Sequence, residues 1–361
     1  MSDVVVIGGG VIGMMSARVL ALRGARVTLI ERGRLGAQSS WAGGGILSAL
    51  IPWQTTEAIS RLILWGHYHY PSLVEMLNSE TDIDAQYYRS GMVVTTPVTD
   101  IDTAHAWAVE QGFQAETLSN EGVATLLPET KIIDETHAAI YLPEIAQIRN
   151  PRLIKALAQS LRNLGVLIQE GCEIKEIVTQ GRRVAGVKTS AQTYAADHVV
   201  LAAGAWAARL MPELVQRQVQ PIRGEMLLYK VAPNLLSSMI VAEGGYLIPR
   251  QDGHILCGST VEEVGFDCST TQNALSQLSA RAECLLPSLK KASIVGHWAG
   301  LRPGSGDGVP VLSRHSEYDN LTVNCGHFRN GIAMAPASAQ IVADLVEGVE
   351  PAIDGADYVL V

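Results

Sequence analysis

The chain has 361 residues, of which 47% are hydrophobic and 17% are charged, a balance that excludes a disordered chain or a fibrous repeat. This length exceeds what one hydrophobic core usually serves, so we expect two packed units. The net charge is -9 and no run of Lys and Arg forms a basic stripe, which argues against a nucleic acid partner.

The cysteines and the uncharged segments bear on location. The cysteines are scattered, with no two at metal-ligand spacing, and they predict a cytoplasmic protein without a disulfide frame or a metal site. The apolar N-terminus has Asp3 where a signal peptide needs a basic region. The uncharged stretch 35–56 contains glycines, serines and Pro52, so we expect no membrane-spanning helix.

The first predicted elements form a strand, a turn and a helix that together indicate a dinucleotide site. A β-branched strand over Val4–Ile7 leads into a G-x-G-x-x-G pattern and a helix whose apolar face is expected to end at Leu22, and a second strand ends in Glu31. An ordinary glycine-rich turn is the alternative. Glu31 is suited to bind ribose hydroxyls and to repel a 2′-phosphate, whereas Arg32 and Arg34 are interpreted as solvated charges. NADP is therefore disfavoured.

The nucleotide fold is then interrupted and resumed. A glycine- and serine-rich segment follows Glu31 and is typical of a binding loop. Residues 53–78 and 101–127 are predicted to be helices. Asn150 and Pro151 are expected to cap a helix that ends at Leu164, and "HVVLAAGAW" (198–206) is a further buried strand before a glycine turn. Residues 216–294 alternate as antiparallel strands do.

Seven segments carry a resemblance to the FAD-dependent D-amino-acid oxidase family, and within it to the glycine oxidases of bacterial thiamine biosynthesis. They are "VVVIGGGVIG", Glu31, "SSWAGGGIL", "VVLAAGAW", "GGYLIPR", "WAGLRPGSGDGVP" and "GHFRNGIAMAPASA". The resemblance implies an α/β fold: an interrupted Rossmann-type FAD-binding domain from 1–50, 150–215 and 295–361, and an α+β substrate domain, built around an antiparallel sheet, from 51–149 and 216–294.

The resemblance also implies which residues surround non-covalent FAD. Glycines 326 and 331 suit a flat ring held against backbone, and the positive end of the helix that begins near Gly331 suits the charge that reduced flavin gains. A simple docking helix is the alternative there. The implied residues are Gly8, Gly10, Val11, Ile12, Gly13, Glu31, Arg32, Ser39, Ser40, Ala42, Gly43, Gly44, Gly45, Ile46, Ile174, Ala203, Gly204, Trp206, Arg302, His327, Phe328, Arg329, Asn330, Gly331 and Ile332.

Three residues are implied at the substrate. The planar fork of Arg302 fits a carboxylate, which is the one group of a small amino acid that a protein can hold firmly. The glycines at 300, 304 and 306 are expected to let backbone crowd around it, although simple flexibility explains them equally well. Tyr246 would share the carboxylate, and Arg329 would be a second cation at the site. A core tyrosine and an arginine paired with an acid are the alternatives.

With one dinucleotide fingerprint, the substrate itself must be the reductant. The resemblance implies hydride transfer from the α-carbon of glycine or another small amino acid to FAD, followed by reoxidation by O2 to give hydrogen peroxide. One alternative is a flavin dehydrogenase that acts on D-amino or N-methyl amino acids and passes electrons to a quinone or carrier protein. The other is a flavin-holding subunit with no substrate chemistry of its own. His297 and His327 are expected to be packed or hydrogen-bonded, and His67 and His69 to point to different faces. Val261 stands where glycine oxidases often have methionine, so the preference for substrate side chains stays open. Whether the protein forms a homo-oligomer also stays open.

Overall fold

The computed structural model describes residues 2–132 and 137–360. Its strands are β1 (Asp3–Ile7), β2 (Arg26–Ile30), β3 (Tyr88–Arg89), β4 (Met92–Pro97), β5 (Glu116–Leu118), β6 (His137–Leu142), β7 (Ala146–Gln147), β8 (Leu167–Gln169), β9 (Glu176–Gln180), β10 (Arg183–Lys188), β11 (Thr193–Ala195), β12 (His198–Leu201), β13 (Gln220–Lys230), β14 (Met239–Ala242), β15 (Gly245–Arg250), β16 (His254–Gly258), β17 (Ser293–Gly304), β18 (Val311–Arg314) and β19 (Leu321–Cys325). Its α-helices are α1 (Val11–Leu22), α2 (Ser39–Ala42), α3 (Glu57–Thr81), α4 (Ile101–Gln111), α5 (Asn120–Leu126), α6 (Asn150–Asn163), α7 (Ala207–Leu210), α8 (Gln272–Leu285) and α9 (Gly331–Glu347).

The first sheet has the order β18-β19-β12-β1-β2-β8, and its strands are parallel except for β18. Strand β1 is apolar throughout because both of its faces are covered. Val4 and Val6 pack with apolar residues of α1, α6 and α9, whereas Val5 and Ile7 pack on the opposite face. The interrupted Rossmann-type arrangement is confirmed, since β8, β12 and β19 join a sheet that β1 and β2 began.

The second sheet has the order β17-β13-β16-β15-β14-β4-β6-β5 and is antiparallel except where β14 meets β4. Helices α5 and α8 contribute buried residues, such as Val123 and Leu278, to the core on one of its faces. The expected antiparallel sheet of an α+β unit is therefore present. Its long strands β13 and β17 pair over their full length and place Arg302 opposite Ile222.

Two elements do not follow the predicted domain ranges. Strand β17 crosses the boundary placed at residue 295, and it belongs to the second sheet. Helix α3 falls in the range 51–149 but packs on the first unit, where the Tyr70 hydroxyl donates to the Ile332 carbonyl oxygen at 2.6 Å. The division into two domains otherwise stays a prediction.

Three local expectations were wrong. The segment 101–127 is not one helix, because Gly112 ends α4 with a left-handed φ of 75° and β5 then joins the sheet edge. Asn150 does not cap α6: Arg149 occupies the N-cap position, and the Asn150 amide donates to the Ser40 carbonyl oxygen at 2.9 Å. Leu22, expected on the apolar face of α1, is half exposed.

Among the described helices, none combines the length and the apolar character needed to cross a membrane.

Candidate active site

One large cleft, of about 1270 Å³, is lined by residues of both sheets and of the loops that adjoin them. Of the residues that the sequence analysis implied near FAD, all line it except Gly13 and Gly326. Tyr246 also lines the cleft, so that all three residues expected at the substrate face the same space as the glycine-rich turn. The structure thus brings the implied residues together, and their contacts with a cofactor stay a prediction.

The turn between β1 and α1 forms one end of the cleft. A Cβ on Gly8 would lie 2.3 Å from the Ala202 carbonyl oxygen, and one on Gly13 would lie 1.9 Å from that of Gly8. Gly13 therefore serves the packing of helix on strand, which explains why it does not line the cleft. The N-cap residue of α1, Gly10, has no side chain, and the first turn has no acidic residue. The Val11 N–H donates to the Ser40 hydroxyl at 2.9 Å, and the positive end of the helix is otherwise available to an anion.

Glu31 organises this turn. Its two carboxylate oxygens accept the backbone N–H groups of Gly9 at 2.7 Å and Gly33 at 2.8 Å. Each oxygen keeps a further lone pair, which leaves the carboxylate able to accept a ribose hydroxyl. The arrangement fixes the loop after β2 against the glycine turn.

Arg32 is not a solvated surface charge. Its Cζ atom lies 3.5 Å from the ring centre of Trp206, and burial lowers the pKa of its guanidinium. Arg34, in contrast, is exposed at the cleft rim. The sequence analysis missed the stacking because Arg32 and Trp206 are distant in the chain.

The glycine loop 42–46 follows α2 and is held by side chains from both sheets. The Trp298 indole N–H donates to the Ala42 carbonyl oxygen at 3.0 Å. The fully buried Arg250 donates to the carbonyl oxygens of Gly44 at 2.6 Å and Ile148 at 3.1 Å. Arg250 was within a quoted motif, but its role was missed. An arginine at the end of an apolar strand was the available signal.

Arg302 projects into the other end of the cleft. Its guanidinium donates to the Thr260 carbonyl oxygen at 3.1 Å and to the Ser259 hydroxyl at 2.6 Å, with a longer contact to the Arg223 carbonyl oxygen at 3.4 Å. Burial lowers the pKa of Arg302, and the positive charge of nearby Arg329 lowers it further, whereas Tyr246 raises it. No carboxylate of the described residues pairs with Arg302, so the fork can accept an anion from outside the protein.

The glycine that makes room for Arg302 is Gly224 on the neighbouring strand β13. A Cβ there would lie 2.0 Å from Nη1 of Arg302. The glycines expected to surround the guanidinium have other neighbours: a Cβ on Gly300 would meet Ala42, and one on Gly304 would meet Ile222. In the sequence, the glycine inside the strand "IRGEMLLYK" was the signal that another group approaches this backbone closely.

Tyr246 and Arg329 complete this end of the cleft. The Tyr246 hydroxyl contacts Sδ of Met226 at 3.3 Å and also interacts with the Arg302 guanidinium. Arg329 is exposed and lies beside the Phe328 ring at 5.0 Å, without a carboxylate partner in the described part of the chain. Phe328 has a left-handed φ of 43°, a costly conformation for this residue, which turns the chain toward the cleft.

The histidines are packed or hydrogen-bonded, as expected. Nε2 of the buried His327 lies 2.9 Å from the Ser338 hydroxyl, and burial lowers its pKa to about 3. His297 contacts the Glu225 carboxylate at 2.7 Å. His67 packs on Phe113 while His69 stacks on a tryptophan. Within residues 2–132 and 137–360, no three metal-ligating side chains come together.

The residues present fit FAD. Beyond the open helix end and Glu31, the amide oxygen of Asn324 is buried without a partner, while its amide nitrogen donates to the Ser16 hydroxyl at 3.0 Å. Asn324 lines the cleft, where an unsatisfied acceptor suits a ribityl or ribose hydroxyl. The sequence analysis missed this residue.

Comparisons with known proteins agree with this geometry. The family described as FAD dependent oxidoreductase (DAO) matches residues 3–345. A glycine oxidase of Pseudomonas putida is 42% identical over 99% of this chain and 97% of its own. The crystal structure of a glycine oxidase from Geobacillus kaustophilus has a TM-score of 0.92 at 31% identity, covering 100% of this chain and 99% of the other. A bifunctional protein ThiO/ThiG of Trichormus variabilis is 33% identical over 95% of this chain and 52% of its length.

Proposed function

The chain belongs to the DAO family of FAD dependent oxidoreductases, and on that premise we propose that it oxidises glycine or another small amino acid at the α-carbon. The observation that carries the proposal is the pair of arginines at one end of the cleft. Arg302 and Arg329 face the space that also adjoins the nucleotide turn, and neither has a carboxylate partner in the described residues. Two cations without carboxylate partners suit a substrate that itself carries a carboxylate, whereas a neutral amine would leave both charges unpaired.

In the proposed complex, Arg302 binds the substrate carboxylate through its planar fork. The Thr260 carbonyl and the Ser259 hydroxyl orient the guanidinium before the substrate arrives. The Arg302 side chain therefore loses less conformational entropy when the substrate binds. The Tyr246 hydroxyl donates to the same carboxylate, and Arg329 adds positive charge near the mouth. These contacts fix the α-carbon in one place, which is the main contribution a protein makes to a hydride transfer.

FAD, when bound, supplies the acceptor for the hydride that leaves the α-carbon. The amine must be neutral at that moment, and no acid or base of the chain is needed at carbon. The product is an imine, and O2 is the proposed final electron acceptor, giving hydrogen peroxide. We further propose that the imine serves thiazole formation in thiamine biosynthesis. The joining of a similar chain to a second module in the bifunctional relative supports this. Cytoplasmic location and a homo-oligomer stay predictions.

The test is anaerobic mixing of the yellow holoenzyme with glycine, sarcosine, D-alanine and D-proline. We expect glycine or another small amino acid to bleach the flavin absorbance, and air to restore it with release of peroxide. Bleaching without oxygen consumption would instead identify the dehydrogenase with a quinone or protein acceptor. A flavin that none of these amino acids reduces would overturn the proposal.

Arg302→Ala tests the residue assignment. Loss of one partner of a buried charged contact costs about 2 to 5 kcal/mol, which corresponds to a loss of roughly 30-fold to several thousand-fold in kcat/KM. A loss of less than threefold, with FAD still bound, would refute the role given to Arg302.

A further inference from the structure

The segment that joins β16 to α8 runs along one side of the cleft, and we name residues 259–271 the strap. Its first residues, Ser259 and Thr260, hold the guanidinium of Arg302. Val261 and Glu262 line the cleft. Its middle portion carries Phe266, whose ring meets residues of the first unit. The strap therefore joins the second sheet to the first unit beside the cleft.

Buried charges fix the strap to the second sheet. Arg223 on β13 is 4% exposed and pairs with Glu262 at 3.2 Å and with Asp267 at 2.8 Å. The backbones of Arg223 and Glu262 also exchange two hydrogen bonds, at 2.9 and 3.0 Å. At the far end, Thr271 donates through both its N–H and its hydroxyl to Glu225, each at 3.0 Å. Phe266 therefore lies between two anchored points.

Phe266 packs on the first unit through a stack of alternating cations and rings. Its ring centre lies 5.4 Å from that of Trp206, and the Arg209 Cζ atom lies 3.8 Å from the Phe266 centre. Trp206 also contacts Arg32, whose Cζ atom lies 3.5 Å from the Trp206 ring centre. Arg32, Trp206 and Arg209 all line the nucleotide end of the cleft, next to Glu31. Phe266 itself is 37% exposed, so the core of neither unit depends on it.

We propose that Phe266 is a positioning residue for the nucleotide half of FAD, acting through Trp206 and Arg32. The strap holds the Phe266 ring against Trp206, and this limits the motion of Trp206 and of the Arg32 side chain stacked on it. Side chains that are already ordered lose less freedom when the cofactor binds. The inference depends on the FAD of the family and not on the proposed substrate, so its failure would leave the substrate proposal standing.

The test measures the dissociation constant of FAD by serial dilution of the holoenzyme, followed through the fluorescence of released flavin. Phe266→Ala is expected to raise this Kd about two- to tenfold, the range that one aromatic pair supplies. Val264→Ala is the matched control, because Val264 lies in the same strap and is 39% exposed. Its Kd should equal that of the unaltered protein. Phe266→Tyr, which keeps the ring, should restore tight binding.

A double-mutant cycle separates positioning from general loosening of the strap. When Trp206→Ala is already present, Phe266→Ala should raise the Kd no further, because the residue through which it acts is gone. Should Phe266→Ala not fold, Phe266→Leu replaces it, since leucine keeps apolar bulk without the ring. An unchanged Kd in the folded variant, an equal effect of Val264→Ala, failure of Phe266→Tyr to restore binding, or additivity in the cycle would each overturn the proposal.

Discussion

Replacing Gly224 with alanine should displace the guanidinium of Arg302 without a large change in the free energy of unfolding. The new Cβ would lie 2.0 Å from Nη1 and 2.3 Å from Cζ of Arg302. Ordinary contact begins at 3.4 Å, so the guanidinium must move by about 1.4 Å. The group that has to move is the far end of a flexible side chain rather than backbone, which makes the substitution cheap for folding. The displacement would break the hydrogen bonds to Thr260 and Ser259, but both residues line the cleft, where water can replace the lost donor at little cost in stability.

A misplacement of about 1 Å at a reacting centre costs on the order of 100-fold in rate. We therefore expect Gly224→Ala to lower kcat/KM for glycine by about that factor, while the free energy of unfolding changes by less than about 1 kcal/mol. Peroxide release measures kcat/KM under saturating oxygen. The visible spectrum of bound FAD and urea unfolding provide the two measurements that should stay constant.

Gly355→Ala is the matched control for this substitution. A Cβ at Gly355 would have no heavy atom within 4 Å, and the backbone there is not left-handed. The control should match the unaltered enzyme in all three measurements. If Gly224→Ala keeps kcat/KM within threefold of the unaltered enzyme, Arg302 does not act from the position seen here. A collapse of stability alongside activity would equally refute the argument that only the side chain moves.

Three further predictions concern stability and the cofactor. Arg250→Met removes the donor from the carbonyl oxygens of Gly44 and Ile148, which costs about 1 to 3 kcal/mol for each buried acceptor. Urea unfolding should show a loss of that order in the free energy of unfolding. An unchanged midpoint would contradict the role of Arg250 in holding the loop 42–46. Burial lowers the pKa of His198 to about 4 from 6.5, so folding stability is complete above pH 6.5 and falls as the pH drops toward 4, by up to about 3 kcal/mol. His198→Asn should flatten this fall in unfolding measured across that pH range, and an unaltered slope would assign the acid sensitivity elsewhere. Acid precipitation should leave the FAD in the supernatant, whereas flavin retained in the pellet would show covalent attachment.

Much of the first unit could be predicted because its signals are local. The β-branched run of β1, the glycine spacing and the acid at the end of β2 lie within the first 31 residues. Arg302 and Tyr246 were named through the motifs that carry the resemblance, and both line the cleft. Their contact with a substrate stays a prediction.

The remainder depends on pairing between distant segments, which no local pattern encodes. Gly224 matters only because the register of β13 on β17 brings it opposite Gly300 and beside Arg302. Arg32 was interpreted as solvated because Trp206 lies far along the chain. The strand β5 was included in a helix because three residues at a sheet edge carry too little pattern. Tertiary contacts decide such positions.

The order of strands in the first sheet has a consequence for biosynthesis. Strand β1 is completed at residue 7, yet it is flanked by β12, and β12 by β19, which ends at residue 325. At roughly 5 to 20 residues per second, the ribosome needs about 15 to 60 s between these two points. Until β12 ends at residue 201, about 10 to 40 s after β1, the nascent chain holds a valine-rich strand with no neighbour on that side, and β12 then lacks its own outer neighbour until β19 is made. Because residues 327–332 line the cleft, the site for the cofactor is complete only when nearly the whole polypeptide has been made.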